Sequence, residues 1–277
     1  MTLSRRQVRE LLEEHGLAPS RALGQNFVGD ANTVRRIAAL AEVGPGDRVV
    51  EVGAGLGSLT LALAEVGASV TAVEMDRHLV PILRELVEPV GVRVIEGDAR
   101  RLDWGAVLDG DGWALVANLP YNIATPLVLD LLADAPSIER MLVMVQREVG
   151  ERLAAGVGDD GYGIPSVKVA YWGVARVVGR VPATVFVPQP RVESVLVRVV
   201  RHAEAPVDVD RAQLFRLVDT GFGQRRKMLR RSLAGLVDAD GFRAAGVAPE
   251  ARAEELSLAE WAALVRASPV GVEKLRP

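Results

Sequence analysis

Between residues 48 and 145 short apolar runs alternate with amphipathic stretches, and that alternation leaves the chain few folds to choose from. Arg48–Val52, Ser69–Glu74, Val92–Glu96, Trp113–Ala117 and Met141–Val145 read as strands. Ser58–Val66, Arg77–Val87 and Thr125–Leu132 read as helices between them. A strand that returns through a helix lies parallel to its predecessor, so the pattern predicts a doubly wound α/β sheet. Residues 4–15 and 29–41 predict two helices ahead of it, the second capped near Asp30, with a loop from Leu17 to Phe27 between them. Further on, Val174–Val181 and Ser194–Val200 read as strands joined by a Pro-rich loop, Pro182 to Pro190, without a helix. That arrangement predicts an antiparallel edge. A polar linker, Ala203–Asp210, then leads into helices only. The predicted organisation is a sheet domain over 1–203 and a small helical domain over 204–277.

Composition narrows the chemistry. The chain has 277 residues and no cysteine, which excludes disulfides, thiolate metal sites and thiolate attack on a ring carbon. His15, His78 and His202 stand far apart, so no metal site is expected. No apolar run approaches the roughly 18–20 residues that span a bilayer. Arg5, Arg6 and Arg9 are followed by Glu10, Glu13 and Glu14 where a signal peptide needs an apolar stretch, so the expected place is the cytoplasm.

A glycine-rich turn, Glu51-Val52-Gly53-Ala54-Gly55-Leu56-Gly57, closes the first strand and opens a helix. Glycine lets backbone approach a ligand without a clashing side chain. Position 58 is Ser58, whereas the dinucleotide fingerprint requires glycine there. Glu74 ends the second strand, where a carboxylate can accept both hydroxyls of a ribose. Asp98 ends the third, in Gly97-Asp98-Ala99, where it can meet an adenine amino group. Glycine turn and two carboxylates on successive strand ends describe an adenosyl ligand in the switch-point crevice.

The strand Trp113–Ala117 stops abruptly at Asn118-Leu119-Pro120-Tyr121. This turn offers a side-chain amide, freed carbonyls, a rigid proline and an aromatic face at one point. Those are the groups needed to hold an adenine amino group by hydrogen bonds and stacking. With the adenosyl ligand, they point to methyl transfer onto an adenine nitrogen.

Net charge is −3, unhelpful to a nucleic-acid partner taken as a whole. Locally, Gln224-Arg225-Arg226-Lys227-Met228-Leu229-Arg230-Arg231 carries no acid. On a helix Arg225, Arg226, Lys227, Arg230 and Arg231 would form two cationic ridges on one side, suited to phosphates, with Met228 and Leu229 inward. Arg21 and Arg147 could extend that surface around the mouth of the site.

Gly24-Gln25-Asn26-Phe27, the glycine turn, Gly97-Asp98-Ala99, Asn118-Leu119-Pro120-Tyr121-Asn122 and Phe222-Gly223-Gln224-Arg225-Arg226-Lys227 occur in this order. Over about residues 20 to 265 the chain closely resembles the KsgA-type rRNA adenine dimethyltransferases. The resemblance implies a Rossmann-like class I S-adenosylmethionine-dependent methyltransferase sheet with a small C-terminal helical domain. It implies dimethylation of two adjacent adenosines near the small-subunit rRNA 3′ end, in an immature particle, with S-adenosylmethionine as cofactor. Gln25, Asn26, Val28, Gly53, Gly55, Glu74, Met75, Asp98, Ala99 and Asn118 are then expected at the cofactor. Asn118, the Leu119 carbonyl, Tyr121 and Phe186 are expected around the target base. Val28 stands where the family usually has leucine, Ala54 and Gln189 where it commonly has proline.

The competing expectations are a macrolide-resistance enzyme acting on large-subunit rRNA, a DNA adenine methyltransferase, a non-catalytic assembly factor and a nicotinamide-dependent dehydrogenase. Gly24 and the Gln-Arg-Arg-Lys segment disfavour the first, and Leu119 in place of a second proline disfavours the next. The intact Glu74, Asp98, Asn118 and Tyr121 disfavour a pure binder, and Ser58 with the Asn-Leu-Pro-Tyr turn a dehydrogenase. A monomer is expected.

Overall fold

The computed structural model describes residues 2–268. In chain order the elements are α1 (Arg5–Glu14), β1 (Phe27–Val28), α2 (Ala31–Ala41), β2 (Arg48–Val52), α3 (Ser58–Glu65), β3 (Ser69–Glu74) and α4 (Val80–Val87). They continue with β4 (Arg93–Glu96), α5 (Trp104–Val107), β5 (Trp113–Asn118), α6 (Ala124–Asp134), β6 (Ile138–Gln146), α7 (Arg147–Ala154) and α8 (Ile164–Trp172). Last come β7 (Gly173–Val181), β8 (Phe186–Val187), β9 (Ser194–Arg201), α9 (Arg211–Gly223), α10 (Leu229–Ser232), α11 (Ala239–Ala245) and α12 (Leu258–Ala267).

A seven-stranded sheet runs in the order β4-β3-β2-β5-β6-β9-β7. β2 pairs in parallel with β3 on one side and β5 on the other, so chain order reverses between β2 and β5. Ligands of open α/β sheets bind at the carboxyl ends of the strands flanking such a reversal. β5 buries every residue from Trp113 to Ala117, the continuous apolar run expected of a strand covered on both faces. β9 lies antiparallel to β6, with Val143 opposite Val197, and β7 forms the sheet edge beyond it. A separate pair joins β1 and β8, with Phe27 opposite Val187 and Val28 opposite Phe186.

The chain divides into two compact units, residues up to 150 with 176–201, and residues 151–175 with the segment from 202 onward. The expected boundary near residue 203 is close to the second crossing, but residues 151–175 were expected in the sheet domain and group with the helices. The reason is packing. Tyr162 and Val167 are buried in one cluster with Leu214, Leu256 and Trp261, and the Tyr162 hydroxyl donates to the Leu256 carbonyl at 2.8 Å.

In that helical unit α9 passes close to Trp261, which is fully buried. A Cβ on Gly221 would lie 2.5 Å from the indole. Glycine to alanine inside a helix ordinarily gains up to about 1 kcal/mol. Overpacking against a buried ring costs about 1–3 kcal/mol, so the second effect wins. Gly221→Ala is therefore expected to lower stability, read as a lower urea midpoint at unchanged m-value. A raised midpoint would show that the indole yields.

Candidate active site

At the β2/β5 reversal a cleft of about 920 Å³, counting its open mouth, is lined by Gln25, Asn26, Val28, Gly53, Gly55, Glu74, Met75, Asp98, Ala99, Asn118, Leu119 and Tyr121. The fold thus collects at one place all the residues expected at the cofactor and three of those expected at the base.

The glycine turn is pinned to β3, because the Gly53 and Ala54 N–H groups both donate to the Val73 carbonyl, at 2.8 and 3.3 Å. Gly53 has φ 75°, the left-handed region that glycine tolerates. A Cβ there would lie 3.6 Å from Pro120 Cδ and 3.7 Å from the Asn118 carbonyl oxygen, filling the gap between the two motifs. Glu74 is buried, and its carboxylate accepts from Gly55 N–H at 2.7 Å and Asp76 N–H at 2.9 Å. An ionised carboxylate has about four lone-pair sites, so each oxygen keeps acceptor capacity facing the cleft. Asp98 accepts from Arg100 N–H at 3.0 Å and lies 3.6 Å from Arg101 Nε, so it shapes its own turn while lining the cleft. A glycine turn beside the buried carboxylate of Glu74, with the Asp98 carboxylate one strand further along, fits an adenosyl group.

Asn118 ends β5 with its Nδ2 donating to the Asn26 carbonyl at 2.9 Å. A carbonyl can only accept, so the amide nitrogen must face it and Oδ1 must face away. Leu119 N–H donates to the Met144 carbonyl at 3.1 Å, while the Leu119 carbonyl accepts no hydrogen bond among the described residues. Tyr121 is half-buried, with its hydroxyl 2.7 Å from Ser194 Oγ, and burial pushes that hydroxyl above its ordinary pKa of 10.

Glu51 has no counterpart among the expected site residues. It lies 1% exposed in the wall of the cleft and accepts from Thr60 Oγ1 at 2.5 Å. Burial pushes its pKa to about 8, with the Thr60 hydrogen bond opposing the rise and the Glu74 charge adding to it. A lone acid in the apolar run Arg48–Val52 was the signal in the sequence. Between pH 4.5 and 8 the native state holds this proton and the unfolded chain does not. Stability therefore falls as pH rises through that window, by on the order of 1 kcal/mol per pH unit. Glu51→Gln keeps an acceptor for Thr60 and removes the ionisation. Its urea midpoint is expected to exceed the parent's at pH 8, with the gap closing toward pH 5. A gap that stays constant with pH would contradict a buried proton.

Two expectations are corrected. Phe186 does not line the cleft: it is 1% exposed, and the β1–β8 pairing sets it opposite Val28, inside the apolar core. Burying a phenyl ring yields about 1.5–3 kcal/mol, and its neighbours Val185 and Val187 pack against the same cluster. The cationic run is not one continuous helix. α9 ends at Gly223, residues 224–226 turn, and α10 begins at Leu229. The Leu229 and Arg230 N–H groups donate to the Ala251 and Pro249 carbonyls, which breaks the helical ladder. Leu229 is buried as expected, but Met228 is 39% exposed. Arg225 pairs with Glu254 at 2.5 Å and Arg230 with Glu250 at 2.9 Å. Arg226, Lys227 and Arg231 are exposed, with no ion pair among the described residues. In the sheet unit Arg147 is exposed outside the cleft, 3.9 Å from Glu193. No group of metal-ligating side chains occurs among the described residues, and no described helix is long and apolar enough to cross a membrane.

Strand order, antiparallel β9 and a cleft at the β2/β5 reversal define the class I methyltransferase fold. Residues 19–268 match the family model described as ribosomal RNA adenine dimethylase. The chain is 46% identical over 276 residues to Ribosomal RNA small subunit methyltransferase A of Cutibacterium acnes, covering 94% of this chain and 92% of that protein. With the protein of the same name from Leifsonia xyli subsp. xyli it shares 49% over 270 residues, 93% and 95% of the two chains. The solved structure of the 23S rRNA methyltransferase ErmE superposes with a TM-score of 0.68 at 27% identity, over 88% of this chain and 99% of that one. A dimethyladenosine transferase from Plasmodium falciparum gives 0.70 at 23% identity, over 85% and 94%, a likeness of fold. The chain belongs to the ribosomal RNA adenine dimethylase family and is a methyltransferase enzyme.

Proposed function

We propose that this enzyme uses S-adenosylmethionine to dimethylate N6 of two adjacent adenosines in the 3′-terminal hairpin loop of small-subunit rRNA, within an immature particle. The observation that carries the reading is Asn118, whose Nδ2 is held by the Asn26 carbonyl so that Oδ1 faces away as an acceptor.

S-adenosylmethionine, when bound, supplies an electrophilic methyl group on a sulfonium sulfur. Glu74 would hold the ribose hydroxyls, Asp98 the adenine amino group, and the Gly53–Gly55 backbone the remainder. Gln25, Asn26, Val28, Met75 and Ala99 complete that wall. The exocyclic nitrogen of the target adenine is a poor nucleophile because its lone pair is delocalised into the ring. Asn118 Oδ1 and the Leu119 carbonyl accept from its N–H groups and favour a pyramidal nitrogen. Tyr121 stacks on the base, worth about 1–3 kcal/mol. Positioning of this kind can supply up to about 7–11 kcal/mol, and the proton leaves to water after transfer. Phe186, buried behind β1, supports this wall; as a stacking ring it would have to leave the core.

The small subunit is favoured over the large one by the relatives. Those named for the small subunit are 45–49% identical, and the 23S enzyme is 27% identical. Within the run, Arg226, Lys227 and Arg231 have no ion pair among the described residues and are free to meet phosphates, with Arg225, Arg230, Arg21 and Arg147 as further contacts. Replacing Arg226, Lys227 and Arg231 together by alanine is expected to weaken particle binding and flatten the slope of log K against log salt by about 2 to 3. An unchanged slope would place the RNA elsewhere.

Labelled methyl transfer to immature small subunits, with large subunits and bare DNA in parallel, tests the reading. Label in the small subunit supports it. Label in the large subunit assigns the chain to the resistance type, and binding without label makes it an assembly factor.

A further inference from the structure

The loop from Ser20 to Asn26 holds both halves of the site. On the cofactor side Gln25 Nε2 donates to Asp76 Oδ2 at 2.8 Å, and Asp76 N–H donates to Glu74 at 2.9 Å. On the base side the Asn26 carbonyl accepts from Asn118 Nδ2 at 2.9 Å, and the Ala22 carbonyl accepts from Asn122 Nδ2 at 3.1 Å. Gly24, with φ 63°, presses against the same turn. A Cβ there would come 2.9 Å from Asn122 Oδ1 and 3.3 Å from Pro120 Cβ. Inside the loop Gln25 N–H donates to the Ser20 carbonyl and Asn26 Nδ2 to the Gly24 carbonyl, both at 3.1 Å. Asn122 is exposed and does not line the cleft. Its amide makes its tie from outside the cleft.

We infer that Asn122 is a positioning residue. Its amide fastens the Ser20–Asn26 loop onto the target-base turn, and the fastened loop brings the Asn26 carbonyl to Asn118. The inference rests on the reading of Asn118 given above. Without the fastener the base side of the loop lifts, while Gln25 and Asp76 still tie the cofactor side. Asn118 Nδ2 then loses its partner, and the amide turns freely. An amide turned the wrong way presents N–H to the N–H of the adenine amino group, which repels where Oδ1 would accept. The consequence falls on the chemical step, and cofactor affinity changes far less because Glu74, Asp98 and the glycine turn stay in place.

The test uses the full chain with Asn122→Ala and Asn122→Asp. The aspartate has nearly the same size but only accepts, and it faces a carbonyl. Three readouts separate the possibilities. Calorimetry with S-adenosylmethionine is expected to show affinity changed far less than transfer, and one site per chain for both variants, which certifies the folded fraction. Single-turnover methyl transfer to small-subunit particles is expected to fall about tenfold or more in both, the cost of a misplaced reacting group. Amide exchange over residues 18–27, measured on the free protein, is expected to quicken in both. Unchanged exchange overturns the fastening, whatever happens to activity. Quickened exchange with transfer equal to the parent's overturns the positioning role. Aspartate transferring like the parent while alanine fails shows that side-chain bulk matters and the donated hydrogen bond does not, which also overturns it. A parent chain that transfers no methyl to the particles, in the same assay, refutes the reading of Asn118 itself, and the positioning role with it.

Discussion

Asn118→Ala is expected to slow single-turnover methyl transfer by about 10²–10³-fold, with S-adenosylmethionine binding weakened far less. Removing one preorganised hydrogen-bonding group that acts on charge developing in the transition state costs that much in comparable sites. Asn118 is such a group: the strand end fixes its backbone, and the Asn26 carbonyl fixes its amide. Nothing has to reorganise when the adenine nitrogen begins to take the methyl group. Asn118→Asp is expected to be nearly as poor. A carboxylate cannot donate to the Asn26 carbonyl, so it loses its anchor and turns toward solvent or the sulfonium charge. A variant that lost cofactor affinity and rate in equal measure would make Asn118 a cofactor ligand only.

Glu74→Ala is expected to raise the S-adenosylmethionine dissociation constant by about 10²-fold. Hydrogen bonds to a charged acceptor are worth about 1.5–3 kcal/mol each, and two ribose hydroxyls are at stake. The same substitution also strips the Gly55 and Asp76 N–H groups of their partner, loosening the glycine turn and the turn that holds Gln25. Burial raises the Glu74 pKa, and the backbone N–H groups of Asp76 and Gly55 oppose the rise. Glu74→Gln keeps one oxygen acceptor and removes the charge, so its loss is expected to be smaller, about tenfold. Calorimetry on the two variants reads both values. Equal binding by parent and alanine variant would move the ribose away from β3.

Much of this site was legible because its residues end strands. Glu74, Asp98 and Asn118 each follow an apolar run, and a parallel sheet delivers such ends to one edge whatever the details of packing. Three things were not legible, for nonlocal reasons. The direction of the Phe186 ring depends on β8 finding β1, far away in sequence. Residues 151–175 sit between sheet strands in the chain, yet Tyr162 and Val167 complete a core built by the last helices. The cationic run has helical spacing, but the backbone at Leu229 and Arg230 is claimed by Pro249 and Ala251. Periodicity describes one segment at a time, and each of these outcomes was decided by a partner segment.

In the proposed mechanism Asn118 and the Leu119 carbonyl present the exocyclic nitrogen of adenine for methylation. Nucleoside analysis of small-subunit rRNA after reaction with the parent chain tests it most directly. The expected product is N6,N6-dimethyladenosine at two adjacent positions, absent with Asn118→Ala. Methyl groups on a ring nitrogen, a ring carbon or a ribose hydroxyl would contradict it.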